Sequence, residues 1–446
     1  MENITPSALK SRKKWTSGTS RVQPVEMTLK NANKIINDIG ITRIADITDM
    51  DRLKIPNFSS VLPGTEDYIW VYGGKGTTRN HAKASAIMES IERFSSLPKN
   101  YFDKIISGSY EELSKSYNVL KYNDVIEPIS FSLDDKMMMD YCVGYDLMNK
   151  KDILVPLSLA LFKYVPKSPS LNPYSFYHTN GLASGNVIEE AICHSLCEVI
   201  ERDATSIAEF VSSAFQYHIL ITIENALLQN GVKLKPIESK KFIDDNEIYN
   251  DVDLKDIAED KEPIKKLLEK FENCQISLNV KDITSDLGVP TFIASSVEWI
   301  NHDYGYLVEG HGTHPDSRIA LIRSITEVSQ SRAANIQGSR DDLRKMKYNP
   351  DDSDDKRSWQ FIKSTKSIKF SDIKSYYNED ILDDIKFILA KLKERNLDRA
   401  IVVNLTNPKI NIPVVRTIVP GLETFKVNKS IVGNRAKECF IRCLNL

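Results

Sequence analysis

The chain has 446 residues, of which 41% are hydrophobic and 27% charged, and its formal net charge is −2. These values are typical of a globular protein that buries a sizeable core in one large domain or in two or three smaller ones. The balanced charge argues against nucleic acid as a partner, and the lack of a long apolar run or a signal-peptide stretch argues against a membrane or exported protein, so we expect a cytoplasmic location.

The first predicted element, over residues 21–51, is a helix followed by a short threonine-rich segment. Aromatic and branched residues at 68–72 then predict a strand, and the glycine-rich sequence at 73–78 predicts a loop. Over residues 80–97 apolar side chains recur every three or four positions, which predicts an amphipathic helix. Residues 179–202 repeat this order, because a loop rich in glycine and asparagine leads into a second long helix.

The two predicted helices end alike. Residues 89–93 read E-S-I-E-R and residues 198–202 read E-V-I-E-R, and each follows a glycine-rich loop. The shared pattern favours an internal duplication of one strand–loop–helix unit, with chance agreement over a short motif as the alternative.

The later part of the chain mixes strands and helices. Strands are predicted at 275–283, 291–300, 400–405 and 413–419, and a helix is predicted at 315–337. Two charged stretches lie among them: 240–270 predicts a pair of surface helices, and 341–357 predicts a loop. The mixture predicts an α/β or mixed α+β fold.

Glutamates form stripes on the two repeated helices. Glu89 and Glu92 are three residues apart and share one helix face, and so do Glu198 and Glu201. Glu190 falls on nearly the same face as Glu198. Sites built from oxygen ligands alone select hard cations, Mg²⁺ above all when phosphates complete the shell. The alternative is a solvated helix face with ordinary salt bridges.

The chain has no GxxxxGK[ST] motif, so it is not a P-loop enzyme. The glycines around Lys75 could still cradle an anion at a helix start, although a plain hairpin turn fits them equally well. A third block, residues 309–342, holds His311 and His314 in a predicted glycine-rich loop before a helix that carries several arginines. Arginines suit phosphate charge, whereas His-x-x-His without a third ligand is a weak metal signal.

The six cysteines are too few and too scattered for a disulfide scaffold, and no Cys-x-x-Cys pair indicates structural zinc. Cys193/Cys197 and Cys439/Cys443 are each four residues apart, so each pair can share a helix face. Buried reduced thiols are the simplest interpretation, and a sulfur-carrying cysteine is the alternative.

Taken together, these motifs resemble the YcaO family. The resemblance rests on S-x3-E-x2-E-R at 85–93, on N-G-L-A-x-G-N-x3-E-x7-E-x2-E-R-D-A at 180–204, on the Q-S-R…G-S-R-D-D block and on P-V-V-R-T-I-V-P-G-L-E at 413–423. Their order and spacing match from about residue 18 to residue 423. The combination is much more specific than any single motif.

The resemblance implies an ATP site without a Walker motif, in which glutamates hold Mg²⁺ ions that bridge the phosphates. The residues expected to bind Mg²⁺ are Glu89, Glu92, Glu190, Glu198 and Glu201, and those expected to act in catalysis are Glu89, Glu201 and Arg202. The residues expected to contact the nucleotide are Arg21, Thr28, Lys75, Ser85, Arg93, Asn186, Glu198, Arg202, Gln330 and Arg332. Ala183 stands where some members have a serine. His194 lies on the same stripe as Glu190 and Glu198, and we expect it to support the metal ligands or to be structural rather than to bind the metal itself.

The implied domain organisation is an N-terminal segment, 1–66, that contributes to the nucleotide site, a catalytic domain, 67–425, and a tail, 426–446. The implied activity is ATP- and Mg²⁺-dependent phosphorylation of a backbone amide oxygen in a peptide or protein substrate, by a homodimer.

Members of the family differ in the nucleophile. Azoline-forming members use a side chain of the peptide and typically end in a proline-rich tail, whereas this sequence has no proline after Pro420. We therefore expect a thioamide-forming member that uses sulfide or a sulfur carrier. The resemblance offers a glycine of the methyl-coenzyme M reductase α subunit as one target and a TfuA-like protein as one partner. The alternatives are an azoline cyclodehydratase and a non-catalytic ATP-binding protein.

Overall fold

The structure is a computed structural model. It describes residues 5–16, 20–65, 69–175, 177–213, 217–233, 248–257, 262–299, 305–338, 359–361, 363–428 and 430–443. The predicted loop at 341–357 and part of the predicted helix pair at 240–270 lie outside these residues.

The strands of the described residues are β1 (Arg43–Asp46), β2 (Asn57–Val61), β3 (Val71–Lys75), β4 (Ile106–Ser109), β5 (Met138–Asp146), β6 (Lys151–Pro156), β7 (Leu182–Ser184), β8 (Asp251–Asp253), β9 (Ser277–Asp282), β10 (Thr291–Trp299), β11 (Gly305–Thr313), β12 (Ser367–Lys369), β13 (Ile401–Asn404) and β14 (Val414–Ile418).

The α-helices of the same residues are α1 (Val25–Asn33), α2 (Ile36–Ile39), α3 (Arg79–Ser96), α4 (Tyr110–Leu113), α5 (Leu157–Ala160), α6 (Ile188–Ser213), α7 (Tyr217–Gln229), α8 (Glu262–Asn273), α9 (Ser317–Gln337), α10 (Ile381–Lys393), α11 (Phe425–Asn428) and α12 (Asn434–Cys443).

The strands form three sheets, and each sheet packs against one long helix. The first sheet has the order β1-β2-β3 and carries α3. The second has the order β4-β5-β13-β14-β7, with β6 paired to β5, and carries α6. The third has the order β11-β10-β9-β8-β12 and carries α9. Neighbouring strands are antiparallel except for β8 and β12, which are parallel.

Local sequence explains where the long helices begin and which face they bury. The hydroxyl of Thr78 accepts a hydrogen bond from the His81 N–H and caps α3, and the Asp316 carboxylate caps α9 in the same way. Helix α3 then buries Ile87 and Ile91 completely, which fixes its opposite, glutamate-bearing face toward the neighbouring unit.

Glycines let each helix lie very close to the chain segment before it. A Cβ added at Gly76 would lie 2.7 Å from the backbone nitrogen of Ala82, and one at Gly185 would lie 2.5 Å from that of Ala191. The interval along the chain is the same in both cases. This equivalence supports the predicted duplication and aligns Glu89 of the first unit with Glu198 of the second.

The structure contains a third copy of the unit that the sequence analysis did not identify. Gly74 packs against the backbone of Ala82 in α3, and Gly312 packs against that of Ala320 in α9 at the same interval. Counting on from these glycines aligns Glu89 with Glu327. Glu89, Glu198 and Glu327 therefore occupy equivalent positions on three equivalent helices.

The three units close into a ring. Helix α3 packs on strand β7 of the second unit, α6 on β11 of the third, and α9 on β3 of the first. Each helix therefore contacts its own strand on one side and the next unit's strand on the other. This arrangement turns the equivalent glutamates of the three helices toward a shared region.

Most predicted elements are confirmed, including the helices at 80–97 and 315–337 and the four later strands. The helix predicted before the threonine-rich segment is confirmed as α1 and α2, and the threonine-rich segment itself forms β1 and a short 3-10 turn. The loop predicted at 73–78 is wrong at its start, since residues 73–75 pair with β2. His311 likewise lies in β11 and not in a loop.

Candidate active site

Two glutamates from different helices meet beside strand β7. Glu92 of α3 accepts hydrogen bonds at one oxygen from the backbone N–H and the hydroxyl of Ser184, both at 2.8 Å. Glu198 of α6 accepts a hydrogen bond from the Gly181 N–H at 3.1 Å. Strand β7 and the turn before it thus hold both carboxylates in place.

The carboxylates perturb one another. Burial, together with the negative charges of Glu89 and Glu198, raises the pKa of Glu92 to about 8. Burial also raises the pKa of Glu198, and the charge of Glu201 adds to the effect while Arg202 opposes it. Carboxylates gathered with too little positive charge respond in this way, and a bound divalent cation would relieve the repulsion.

Glu89 and Glu201 each stand beside an arginine. The Arg93 guanidinium donates to Glu89 at 3.4 Å and lies over the ring of Tyr72. A terminal nitrogen of Arg202 is 3.8 Å from Glu201. Glu201 is buried, and its second oxygen has no hydrogen-bond partner in the described residues. An orphaned buried carboxylate oxygen is a ready ligand for a cation.

The third helix adds a carboxylate that the sequence analysis did not select. Glu327 of α9 forms an ion pair with Lys75 of β3, and its other oxygen is 3.5 Å from Nδ1 of His311. Burial raises the pKa of Glu327, but Lys75 and His311 outweigh it and hold the pKa well below its ordinary value. The signal that could have found Glu327 is its interval from Gly312, which matches that of Glu89 from Gly74.

Arg202 connects the carboxylates of the different units. Burial lowers its pKa, but the charges of Glu201, Glu198, Glu327 and Glu309 outweigh burial and raise it. The predicted catalytic residues Glu201 and Arg202 are thus placed together, beside a group from the third unit.

Glu309, a residue of β11 that the sequence analysis did not select, is held by two side chains that are distant in sequence, one before β12 and one after β14. Lys426 donates a hydrogen bond of 2.7 Å to one of its oxygens, and Gln360 donates one of 2.9 Å to the other. No local sequence pattern marks these partners, because they are distant along the chain.

The N-terminal segment at residues 21–28 is hydrogen-bonded to residues at the start of α6. The Val22 N–H donates a 2.7 Å hydrogen bond to Glu190, and the Arg21 guanidinium lies 3.4 Å from the same carboxylate. The Thr28 hydroxyl donates to the side-chain oxygen of Asn186 at 2.8 Å, and the Asn186 N–H donates to Glu190 at 2.9 Å. The structure therefore brings four predicted residues together.

Glu190 differs from the other four predicted Mg²⁺ ligands. Both of its oxygens already accept hydrogen bonds from the chain, and only 1% of the residue is exposed. It holds the N-terminal segment and Asn186, whereas the other four glutamates affect one another directly.

Cationic side chains gather around His194, which lies one turn before Glu198. Burial lowers the pKa of His194 well below its ordinary value, and the charges of Arg323, Arg21 and Lys75 lower it further. His194 is therefore neutral. Three cations from three parts of the chain provide the surroundings that a triphosphate prefers. Arg323 was not among the predicted nucleotide contacts.

The structure also shows where three other residues predicted to contact the nucleotide lie. Ser85 occupies the position on α3 that Arg323 occupies on α9, counted from the equivalent glycines. Gln330 packs directly against Gly73 of β3, where any side chain would displace it. Arg332 is placed apart from this group: it is buried, it donates to Asp51 at 2.8 Å, and it also pairs with Glu298.

Within the described residues, the cysteines and His314 make no hydrogen bond or ion pair with the four carboxylates proposed to bind Mg²⁺, whereas His311 contacts Glu327 as described above. Cys193 and Cys197 are buried on α6, which agrees with structural thiols, whereas Cys439 and Cys443 are partly exposed. Cys193 lies near His314 and Asp384, and the Lys14 ammonium sits 2.6 Å from that carboxylate. His311 and His314 have separate partners and share no metal-binding arrangement with each other.

The donor set fits Mg²⁺. Glu89, Glu92, Glu198 and Glu201 offer only oxygen atoms, and one of these oxygens is buried without a partner. Hard oxygen ligands with phosphates nearby are the usual surroundings of this ion. Magnesium would supply charge neutralisation to the phosphates and to the carboxylates.

A family comparison agrees with this arrangement. Residues 73–423 match the profile of the YcaO cyclodehydratases, a family described as ATP- and Mg²⁺-binding. The chain belongs to the YcaO family. The expected cofactors, ATP and Mg²⁺, are thereby confirmed for the family, as is the mixed fold of helices and sheets.

Relatives and solved structures extend the comparison of this YcaO chain. It is 33% identical over 426 residues to an uncharacterized protein of Methanothermobacter thermautotrophicus, covering 93% of this chain and 98% of the relative. It is 25% identical over 397 residues to an uncharacterized protein in the tfuA 3′ region of Rhizobium leguminosarum bv. trifolii, covering 87% and 85%.

Two solved structures share the fold. YcaO from Methanopyrus kandleri bound with AMPPCP and Mg²⁺ has a TM-score of 0.68 at 20% identity, covering 96% of this chain and 98% of that one. A heterocyclase in complex with substrate and cofactor has a TM-score of 0.71 at 20% identity, covering 95% of this chain and 55% of that one. The YcaO chain thus spans just over half of the heterocyclase. None of its described helices combines the length and apolar composition of a membrane span.

Proposed function

We propose that this YcaO protein activates a backbone amide of a peptide or protein by transferring the γ-phosphoryl group of ATP to the amide oxygen, and that it uses sulfide to form a thioamide. The observation that supports the first half is that carboxylates of two helices meet beside β7, where Ser184 holds Glu92 and Gly181 holds Glu198, next to a set of cations. Burial and neighbouring carboxylates raise the pKa of both Glu92 and Glu198. Positioning and charge neutralisation are what phosphoryl transfer requires.

The roles of the side chains follow from their surroundings. Glu89, Glu92, Glu198 and Glu201 would hold Mg²⁺. Arg21, Lys75 and Arg323, together with Asn186 and Thr28 of the N-terminal contact, would bind the phosphates and the nucleotide. Arg202 lies among carboxylates of the second and third units and would stabilise the negative charge that develops during transfer.

The chemical steps balance as follows. The sulfur of HS⁻ forms a bond to the amide carbon, and the resulting oxyanion takes the γ-phosphoryl group, releasing ADP. The carbon–oxygen bond then breaks, phosphate leaves, and loss of the S–H proton gives the thioamide. The leaving phosphate takes up that proton, because burial and the surrounding cations hold the pKa of His194 well below its ordinary value.

Two comparisons support the thioamide branch. One relative lies in the tfuA 3′ region of its genome, and the more similar relative comes from a methanogen, where a glycine of the methyl-coenzyme M reductase α subunit is a candidate target. The second candidate function is azoline formation, which the likeness to a heterocyclase structure favours.

The test uses the full chain with Mg²⁺, ATP and a peptide that carries the candidate glycine of methyl-coenzyme M reductase. We expect phosphate release only when peptide and sulfide are both present, and a peptide mass increased by the exchange of oxygen for sulfur. Loss of one water without sulfide, from a peptide containing cysteine, serine or threonine, would favour azoline formation. No peptide-dependent phosphate release with either peptide would refute amide activation.

A further inference from the structure

A cavity lies next to the carboxylate group but is separate from it. Its walls come from the segment before β5, from the segment before β7 and from β14, and residues that line it include Glu127, Leu159, His178, Asn180 and Arg416. Apolar side chains form most of the remaining wall. Neither the proposed metal ligands nor the proposed nucleotide contacts line it.

Unpartnered polar atoms concentrate in this cavity. Glu127 Oε2, Asn180 Oδ1 and Arg416 Nε are buried and have no hydrogen-bond partner in the described residues, and all three residues line the cavity. Glu127 and Arg416 are each only 6% exposed. Leaving several such groups unpaired is costly, so a polar occupant that pairs with them is expected.

A hydrogen-bonded network fixes these groups rigidly. Nδ1 of His178 accepts from the Asn180 N–H at 3.2 Å and lies 3.1 Å from a terminal nitrogen of Arg416. Because Arg416 can only donate, Nδ1 carries no proton, and Nε2 of His178 donates to Glu127 at 2.8 Å. One carboxylate oxygen is used in this way, and the other stays available to the cavity as an acceptor.

A single turn separates the cavity from the carboxylates. Gly181 follows Asn180, has a φ of 78°, and its N–H donates to Glu198, which does not line the cavity. Val199, the residue after Glu198, also lines the cavity wall. A chain that occupies the cavity would therefore pass directly beside the proposed phosphoryl-transfer site.

The chemistry of the lining selects among ligands. Glu127 supplies a negative charge beside the positive charge of Arg416, so a phosphate or another free anion gains little there. The unpartnered atoms of the cavity are one N–H donor, two oxygen acceptors and the hydroxyl of Thr417, which can donate or accept. This set is the complement of a neutral group with a carbonyl and an N–H. An amide has that pattern.

We propose that this cavity is a peptide subsite that binds a backbone amide next to the one that is modified. The substrate's carbonyl would accept from Arg416 Nε, and its N–H would donate to Glu127 Oε2 or Asn180 Oδ1. The inference rests on the proposed function, since it takes the ligand to be the peptide substrate.

The test uses the full chain and N-acetylglycinamide, the smallest probe with a peptide-like amide, and measures its binding by saturation-transfer difference NMR. Weak but saturable binding is expected for the unaltered chain. Glu127→Gln keeps an oxygen for His178 but replaces the cavity acceptor with a donor, so we expect the Kd to rise about tenfold or more. Asn180→Ala, at a half-buried position, is a second variant with little risk to folding, and we expect a smaller rise.

The matched control is Ser296→Ala, because Ser296 also has a buried hydroxyl without a partner but lies on β10, away from the cavity. It should bind the probe like the unaltered chain. The proposal would be overturned if the unaltered chain showed no saturable binding, or if Glu127→Gln and Asn180→Ala both bound the probe as tightly as the unaltered chain. Either result would mean that the cavity holds only water. Because this assay needs no turnover, its failure is distinguishable from failure of ATP-dependent amide modification.

Discussion

Replacing Glu92 with glutamine removes the carboxylate whose pKa is most clearly displaced within the proposed metal site. Glutamine keeps the size of the side chain, and its oxygen can still accept the two hydrogen bonds from Ser184. The substitution therefore isolates the charge. In the folded chain the pKa of Glu92 is raised from 4.5 to about 8.

The direction of the stability effect follows from linkage. The folded state holds the Glu92 proton more tightly than the unfolded state, so this group's contribution to stability is fully present below pH 4.5 and is lost as the pH rises toward 8. At roughly 1.4 kcal/mol per pKa unit, the loss at pH 7 is at most about 3 kcal/mol. Solvent at the partly exposed site reduces it, so we expect roughly 1–3 kcal/mol.

Glu92→Gln lacks this penalty. Without Mg²⁺, the free energy of unfolding of the variant, relative to that of the unaltered chain, should therefore increase by about 1–3 kcal/mol between pH 4.5 and pH 7. The assay is urea denaturation across this pH range, with the exposed Glu269→Gln as a control for a glutamate on a helix surface. With Mg²⁺ and AMPPCP the unaltered chain should become the more stable of the two at pH 7, because only the unaltered chain binds these ligands. A difference that does not change with pH would refute the crowding of carboxylates.

Three further predictions concern other parts of the molecule. Glu89→Gln and Glu201→Gln should each abolish Mg²⁺-dependent AMPPCP binding in calorimetry while the fold survives, and unchanged binding in both would remove these residues from the site. Gly74→Ala and Gly312→Ala should each lower the free energy of unfolding by about 1–3 kcal/mol or more, measured by denaturation, because the added Cβ overlaps helix backbone; full stability would contradict the close packing of the units. Arg332→Met should cost about 3–5 kcal/mol by leaving Asp51 buried without its partner, with Arg332→Lys milder, and a loss of AMPPCP affinity without a loss of stability would instead support the predicted nucleotide contact.

The sequence analysis located the site's main carboxylates because helical spacing is strictly local. Glu89 and Glu92, and likewise Glu198 and Glu201, lie on one face as expected, since three residues span nearly one turn. That these two faces approach each other could not be derived from spacing. It depends on α3 packing against β7, which is a long-range contact.

The third unit was missed because its residues differ while its geometry does not. Arginine and glutamine stand at the positions of Ser85 and Glu92, so no E-x-x-E-R motif marks α9. What the units share is the interval from a glycine to a glutamate. Glycine is required there because helix backbone lies directly against the preceding strand.

Arginines show the limit of sequence reasoning in this chain. Arg323 and Arg332 lie on the same helix, and either could have contacted a phosphate. In the structure the charge of Arg323 lowers the pKa of His194, whereas Arg332 is buried against Asp51 and Glu298. Asp51 and Glu298 are both distant in sequence from Arg332, and Glu298 lies on β10. No local pattern could therefore have shown which arginine faces a phosphate and which is buried in an ion pair.

The central claim is tested most directly by a crystal structure of this chain with Mn²⁺ in place of Mg²⁺ and AMPPCP, in which anomalous scattering locates the metal. We predict metal peaks between α3 and α6, with the phosphates extending toward Arg21, Lys75 and Arg323. The expected metal ligands are oxygens of Glu89, Glu92, Glu198 and Glu201. Metal bound elsewhere, with these carboxylates still paired only to protein groups, would contradict the account.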